Sequence, residues 1–156
     1  MRVVGRATFQ NSQPLRRFAQ EMIERGCREF VMDLAECRGM DSTFLGVLAE
    51  FGLKISPTDA PEPRGIELLN PNPRITELLE NLGALHLFKV VTGELQLPDD
   101  VQTCMPESIH PTHEQITRTS LEAHQTLMAV NPENVAKFKD VTQFLAEDLK
   151  NLEKNT

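Results

Sequence analysis

Phe30-Val31-Met32-Asp33-Leu34 and, six residues on, Met40-Asp41-Ser42-Thr43-Phe44-Leu45-Gly46 together decide the fold. The first is a compact apolar run of strand length. The second opens a segment in which Leu45, Leu48, Ala49 and Phe51 recur at helical spacing and form the expected inward face. A strand, a loop over 35–40 and a helix thus place Ser42 and Thr43 at a helix start, just beyond a buried strand. Free backbone N–H groups and the positive end of a helix dipole favour incoming negative charge there.

N-terminal to this unit, residues 2–7 predict a short strand, with Asn11 or Ser12 as the cap of the next element and Pro14 in its first turn. Leu15, Phe18, Ala19, Met22 and Ile23 follow the spacing of an amphipathic helix that Gly26 ends. C-terminal to it, a loop over 56–63 leads to a strand from Gly65 to Leu69. Asn70-Pro71-Asn72-Pro73 then turns into a helix with Ile75, Leu78, Leu79 and Leu82 inward, and a last strand spans Leu87–Thr92. Strands alternating with helices predict an α/β fold, a small mixed sheet of four strands with helices mainly on one face.

From Leu97 the periodicity stops, and prolines punctuate a linker over 98–111. Thr112 and Gln115 form a capping-box pattern, and Ile116, Ala123, Leu127 and Val130 share one helical face. After Asn131-Pro132, the residues Val135, Phe138, Val141, Leu145, Leu149 and Leu152 form a second stripe. The expected organisation is therefore an α/β domain over 1–97 and a C-terminal helical hairpin over 112–156. That hairpin either covers a face or edge of the sheet or forms a homodimer or partner surface, with Phe138, Phe144 and Leu145 the residues to watch.

Composition narrows the function classes. A net charge of −7 disfavours nucleic acid and anionic membranes as partners. No membrane span or signal peptide is recognisable, and three cysteines in no paired spacing suit reduced thiols, so a cytoplasmic protein is expected. Cys104, Glu107, His110 and His113 match no standard zinc spacing, and no metal or cofactor is expected. His86 and His124 stand isolated. Asp33, Glu36 and Asp41 read as solvated loop acids, because no base, nucleophile or metal accompanies them, and no enzyme motif is present.

The order of elements and the residues from Phe30 to Leu48 resemble the STAS domain, the family of bacterial anti-sigma factor antagonists and their relatives. Members typically show an apolar strand ending in Asp-Leu, a short loop and Asp-Ser-x-Gly-Leu-Gly. Ile75 to Leu85, and Phe88-Lys89-Val90-Val91, look like the family's third helix and closing strand, so the resemblance covers residues 2–95. It implies a regulatory, non-enzymatic binding module in a partner-switching pathway that controls transcription. Ser42, with Thr43 as runner-up, would be phosphorylated by an anti-sigma factor Ser/Thr kinase and reset by a PP2C-type phosphatase. Asp41, Ser42, Thr43, Phe44, Thr8 and Phe9 would face that partner. Phe44 stands where the family usually has a small residue, and Thr8 where many antagonists carry Asp. Two alternatives remain: Ser42 as a plain helix cap contributing about 1 kcal/mol, or an adaptor subunit of a larger assembly, stressosome-like or lipid-transporting, with Ser42 as a docking residue only.

Overall fold

The computed structural model describes residues 1–56, 65–96 and 110–155. In chain order these form β1 (Gly5–Ala7), α1 (Phe9–Glu24), β2 (Phe30–Asp33), β3 (Cys37–Met40), α2 (Ser42–Ile55), β4 (Ile66–Leu69), α3 (Pro73–Asn81), a 3₁₀ turn (Leu85–Leu87), β5 (Phe88–Val91), α4 (His113–Val130) and α5 (Asn134–Lys154).

The α/β class holds, but the sheet is not the expected mixed sheet of four strands. Strands β2, β4 and β5 form a parallel sheet in the order β2-β4-β5, and β1 pairs in parallel with β3 in a separate ladder of two. The cause is the chain's turn between Leu34 and Glu36. Beside β2 the N-terminal segment makes a lone parallel bridge, Arg2 to Asp33, with Val3 N–H donating to the Asp33 carbonyl at 3.0 Å. It then follows the turn, Gly5 N–H donating to Glu36 O, and pairs with β3 after a register shift between Gly5 and Arg6. Gly5, at φ +82, supplies a conformation that L side chains avoid. The expected strand over 2–7 is thereby broken, and part of the expected loop 35–40 becomes β3. Cys37-Arg38-Gly39-Met40 owes its extended form to that pairing, since it lacks β-branched residues.

Helix α1 starts at Phe9, earlier than expected, with Thr8 as its extended N-cap. Asn11 lies in the first turn, and its Oδ1 accepts from Thr8 N–H at 3.3 Å. Pro14 therefore falls one turn deeper than expected. Its lack of an N–H leaves the Gln10 carbonyl without the usual helical donor.

On one face of the sheet, Phe30, Ile66 and Phe88 stand in register under α2. The Phe30 ring meets Phe51 edge-on at 4.5 Å. On the other face Val31, Glu67 and Lys89 are in register, with Lys89 and Glu67 paired at 2.9 Å. Asp33 is buried, not solvated: its carboxylate accepts from Arg2 Nε at 2.9 Å and from Ala35 N–H at 3.1 Å. Burial also pushes the Cys37 thiol above its ordinary pKa, which disfavours the reactive thiolate.

The hairpin α4–α5 lies on helices rather than on the sheet. Helix α4 packs along α2 and α1, and α5 packs on α4. Helix α2 is packed on several sides: besides its expected inward face it hides Thr43, Phe44, Gly46, Val47, Gly52 and Ile55, with Gly46 against α4 and Gly52 against Leu87 and Phe88. Ala123 and Leu127 of α4 join the same buried cluster as the sheet residues. Among the described residues no helix is long and apolar enough to cross a membrane.

Candidate functional site

The site forms where β3 hands the chain to α2. Asp41 is the extended N-cap: its Oδ1 accepts from Phe44 N–H at 2.8 Å, and its carbonyl accepts from Leu45 N–H at 3.1 Å. Its second oxygen, Oδ2, accepts from Phe9 N–H at 2.7 Å, the first residue of α1. One carboxylate therefore satisfies orphan donors of two helices. Asp41 N–H in turn donates to the Ala7 carbonyl, tying β1 to the same junction.

Ser42 follows as the first residue of α2 and is half-buried. Its own N–H and that of Thr43 occupy helix positions with no intrahelical acceptor. Its Oγ lies 2.9 Å from Nε2 of His124, which is 6 % exposed on α4. The other ring nitrogen, Nδ1, lies 2.7 Å from the Ser120 carbonyl, an acceptor only. Nδ1 must then carry the proton, so in the neutral ring Nε2 accepts and the Ser42 hydroxyl donates. The imidazole is held from its far side by Phe138 of α5, edge-on at 4.8 Å.

Behind this pair the two helices cross almost without side chains between them. A Cβ on Gly46 would stand 2.4 Å from the Ala123 carbonyl oxygen, so only glycine permits the approach. Arg16 of α1 fastens the crossing: Nη2 meets Glu50 of α2 at 2.6 Å, and Nη1 pairs with Glu122 of α4. Glu50 also takes Lys54 at 2.7 Å. Burial alone would raise the Glu50 pKa, but Lys54 and Arg16 outweigh it and hold the carboxyl below its ordinary value. Beside Arg16 and Glu50 opens a cavity of about 200 Å³, floored by Ala19, Ile23, Val47 and Phe51, with neither Ser42 nor His124 in its lining.

The six residues expected at the partner face divide. Asp41 and Ser42 are half-buried, Thr8 is half-buried beside them, and Phe9 is 44 % exposed. Thr43 and Phe44 are buried at 6 % and 3 %, so in this conformation they are core residues and present nothing to a partner. This is also why a large residue is accommodated at position 44: it fills the core where α2 meets its neighbours.

Of the hairpin residues, Phe138 faces inward against His124, Leu145 is half-buried and Phe144 is 67 % exposed. His113 is on the surface with Nε2 3.0 Å from Asp148, and His110 is exposed, while Cys104 and Glu107 lie outside the described residues. Among the described residues no group of three His, Cys, Asp or Glu side chains is placed to hold a metal ion.

His124 is the residue that sequence reasoning missed. It lies 82 positions from Ser42. Only its place one turn after Ser120 and beside Ala123, on the face that α4 buries, distinguishes it in the sequence. A hydroxyl donating to an imidazole that is itself oriented by a carbonyl is the arrangement by which a serine is activated. Here it also closes the seam between α2 and α4. Compared with protein-family models, curated proteins and solved structures, the chain matches none.

Proposed function

We propose that the chain is a non-enzymatic, protein-binding regulatory module of the STAS type, switched by phosphorylation of Ser42 in a bacterial partner-switching pathway. The observation that carries this reading is the position of Ser42 as the first residue of α2, directly after a capping Asp41 that ends a parallel strand. A phosphate there adds about −1.5 to −2 charges beside backbone donors that the helix leaves open. It changes charge and bulk at one end of the domain without requiring the sheet to refold. The partners of such a module are an anti-sigma factor Ser/Thr kinase and a PP2C-type phosphatase.

The test is to incubate the protein with the Ser/Thr kinases encoded beside it and to map phosphate by mass spectrometry. Labelling at Ser42 is the expected result. No labelling at Ser42 or Thr43 overturns the switch.

One observation favours a second reading. The Ser42 hydroxyl already has a partner within the chain, His124, and Phe144 projects from the far side of the hairpin. In that reading the protein is an adaptor subunit of a larger assembly, and Ser42 docks its own C-terminal helices.

A further inference from the structure

The seam between the hairpin and the α1–α2 face has an unusual composition. Helix α4 buries Thr117, Thr119, Ser120 and His124 but, as fully buried apolar side chains, only Ala123 and Leu127. Of the α5 residues only Asn134, Thr142 and Leu149 are buried. Among the described residues, two that bridge hairpin and body leave a buried polar atom without a partner: Nε of Arg16 and Oδ1 of Asn134. Asn134 spends its Nδ2 on the Leu82 and Leu127 carbonyls, and Arg16 spends its other nitrogens on Glu50 and Glu122. Polar, imperfectly satisfied contacts of this kind resemble an interface that opens more than a core that does not.

Ser42 Oγ sits in that seam, 2.9 Å from His124 Nε2. A phosphoryl group extending along the present hydrogen bond of this oxygen would meet the ring. The close crossing at Gly46 and Ala123 leaves no room between the two helices for an added group. With the proton on Nδ1, Nε2 accepts the hydroxyl proton of Ser42, a bond that a phosphorylated Oγ cannot donate.

We propose that closure of the α4–α5 hairpin and phosphorylation of Ser42 exclude one another, so that the hairpin is a built-in cover of the switch residue. The proposal rests on the reading of Ser42 as phosphoacceptor. By linkage, a closed hairpin opposes phosphorylation to the same degree that a phosphate opposes closure. The chain then has two states, and whatever binds the hairpin sets how readily Ser42 is modified.

The experiment uses the full chain with phosphoserine installed at position 42 during synthesis, followed by hydrogen exchange. Relative to the unmodified chain, amides of α4 over 113–130 are expected to lose protection by at least about tenfold, while those of β2 and β4 keep theirs. Unchanged protection of α4 overturns the proposal. So does an equal loss in the sheet, because the hairpin would then be part of the core. A third overturning result is the same loss in Ser42→Ala, since the lost hydroxyl and not the phosphate would be responsible. The phosphoserine chain bypasses any kinase, so its failure strikes the coupling alone, whereas absence of kinase labelling strikes the phosphoacceptor reading.

Discussion

Gly46 and Ala123 approach so closely that a methyl group at position 46 would lie 2.4 Å from the Ala123 carbonyl oxygen. The obstacle is backbone, which no rotamer change removes. Gly46→Ala is therefore expected to destabilise by about 3 kcal/mol, the upper end for overpacking. Gly52→Ala in the same helix meets Phe88 at an ordinary 3.5 Å. It is expected to stabilise by about 0.5–1 kcal/mol through the helix-propensity difference. Urea denaturation of the two variants checks the contrast, and similar midpoints would refute it.

Asp41 serves two helix starts, so Asp41→Ala is expected to cost about 2 kcal/mol, roughly twice an ordinary cap. Asp41→Asn keeps one accepting oxygen and should lose about half as much. Equal losses in the two variants would show that the oxygen kept by Asn contributes nothing and that the ionised carboxylate is what matters.

Ser42 and His124 are expected to be coupled. A double-mutant cycle of Ser42→Ala and His124→Ala should return an interaction of about 1 kcal/mol. His124→Ala alone should cost more than Ser42→Ala, because it also removes the ring that packs against Phe138. A coupling near zero would mean that the hydroxyl turns to solvent.

Much of this architecture can be read locally, and the reasons are physical. Asn72 and Pro73 signal a helix start that needs no tertiary partner: Asn72 Oδ1 accepts from Ile75 N–H at 3.0 Å, with Pro73 in the first helical position. Thr112 and Gln115 exchange both bonds of the capping box. What escaped a local reading depends on distant segments. Strand β3 exists because β1 lies beside it, Thr43 and Phe44 are buried by the packing of α2 against distant elements, and His124 becomes interesting only once α4 lies along α2.

The low pKa of Glu50 gives stability a definite slope with pH. A carboxyl whose folded pKa is depressed contributes above its unfolded value, near 4.5, and the contribution is lost as pH falls through the folded value. Thermal melts from pH 6 down to about pH 3 should therefore show a falling midpoint, with a shallower slope in Glu50→Gln. Identical slopes would show that Arg16 and Lys54 do not hold the carboxylate.

Phe144, at 67 % exposed, contrasts with Leu149 on the same helix, at 8 %. Phe144→Ser is expected to change stability by less than about 0.5 kcal/mol, and Leu149→Ala to cost about 2–3 kcal/mol. Sedimentation of the wild-type and Phe144→Ser chains at equal concentration reports separately on self-association. A difference between them places a contact between copies on this face of α5, and identical profiles remove it.

The Asp41 carboxylate that joins α1 to α2 also sets the electrical state of the junction. Each helix start carries about half a positive charge, and two of them converge on one negative group. The sum is close to zero before any modification arrives. A phosphate on the neighbouring Ser42 would meet no surplus of positive charge there, and it would turn a balanced junction into one with a net charge of about −2. The two helices that Asp41 neutralises today would then share three negative charges between them.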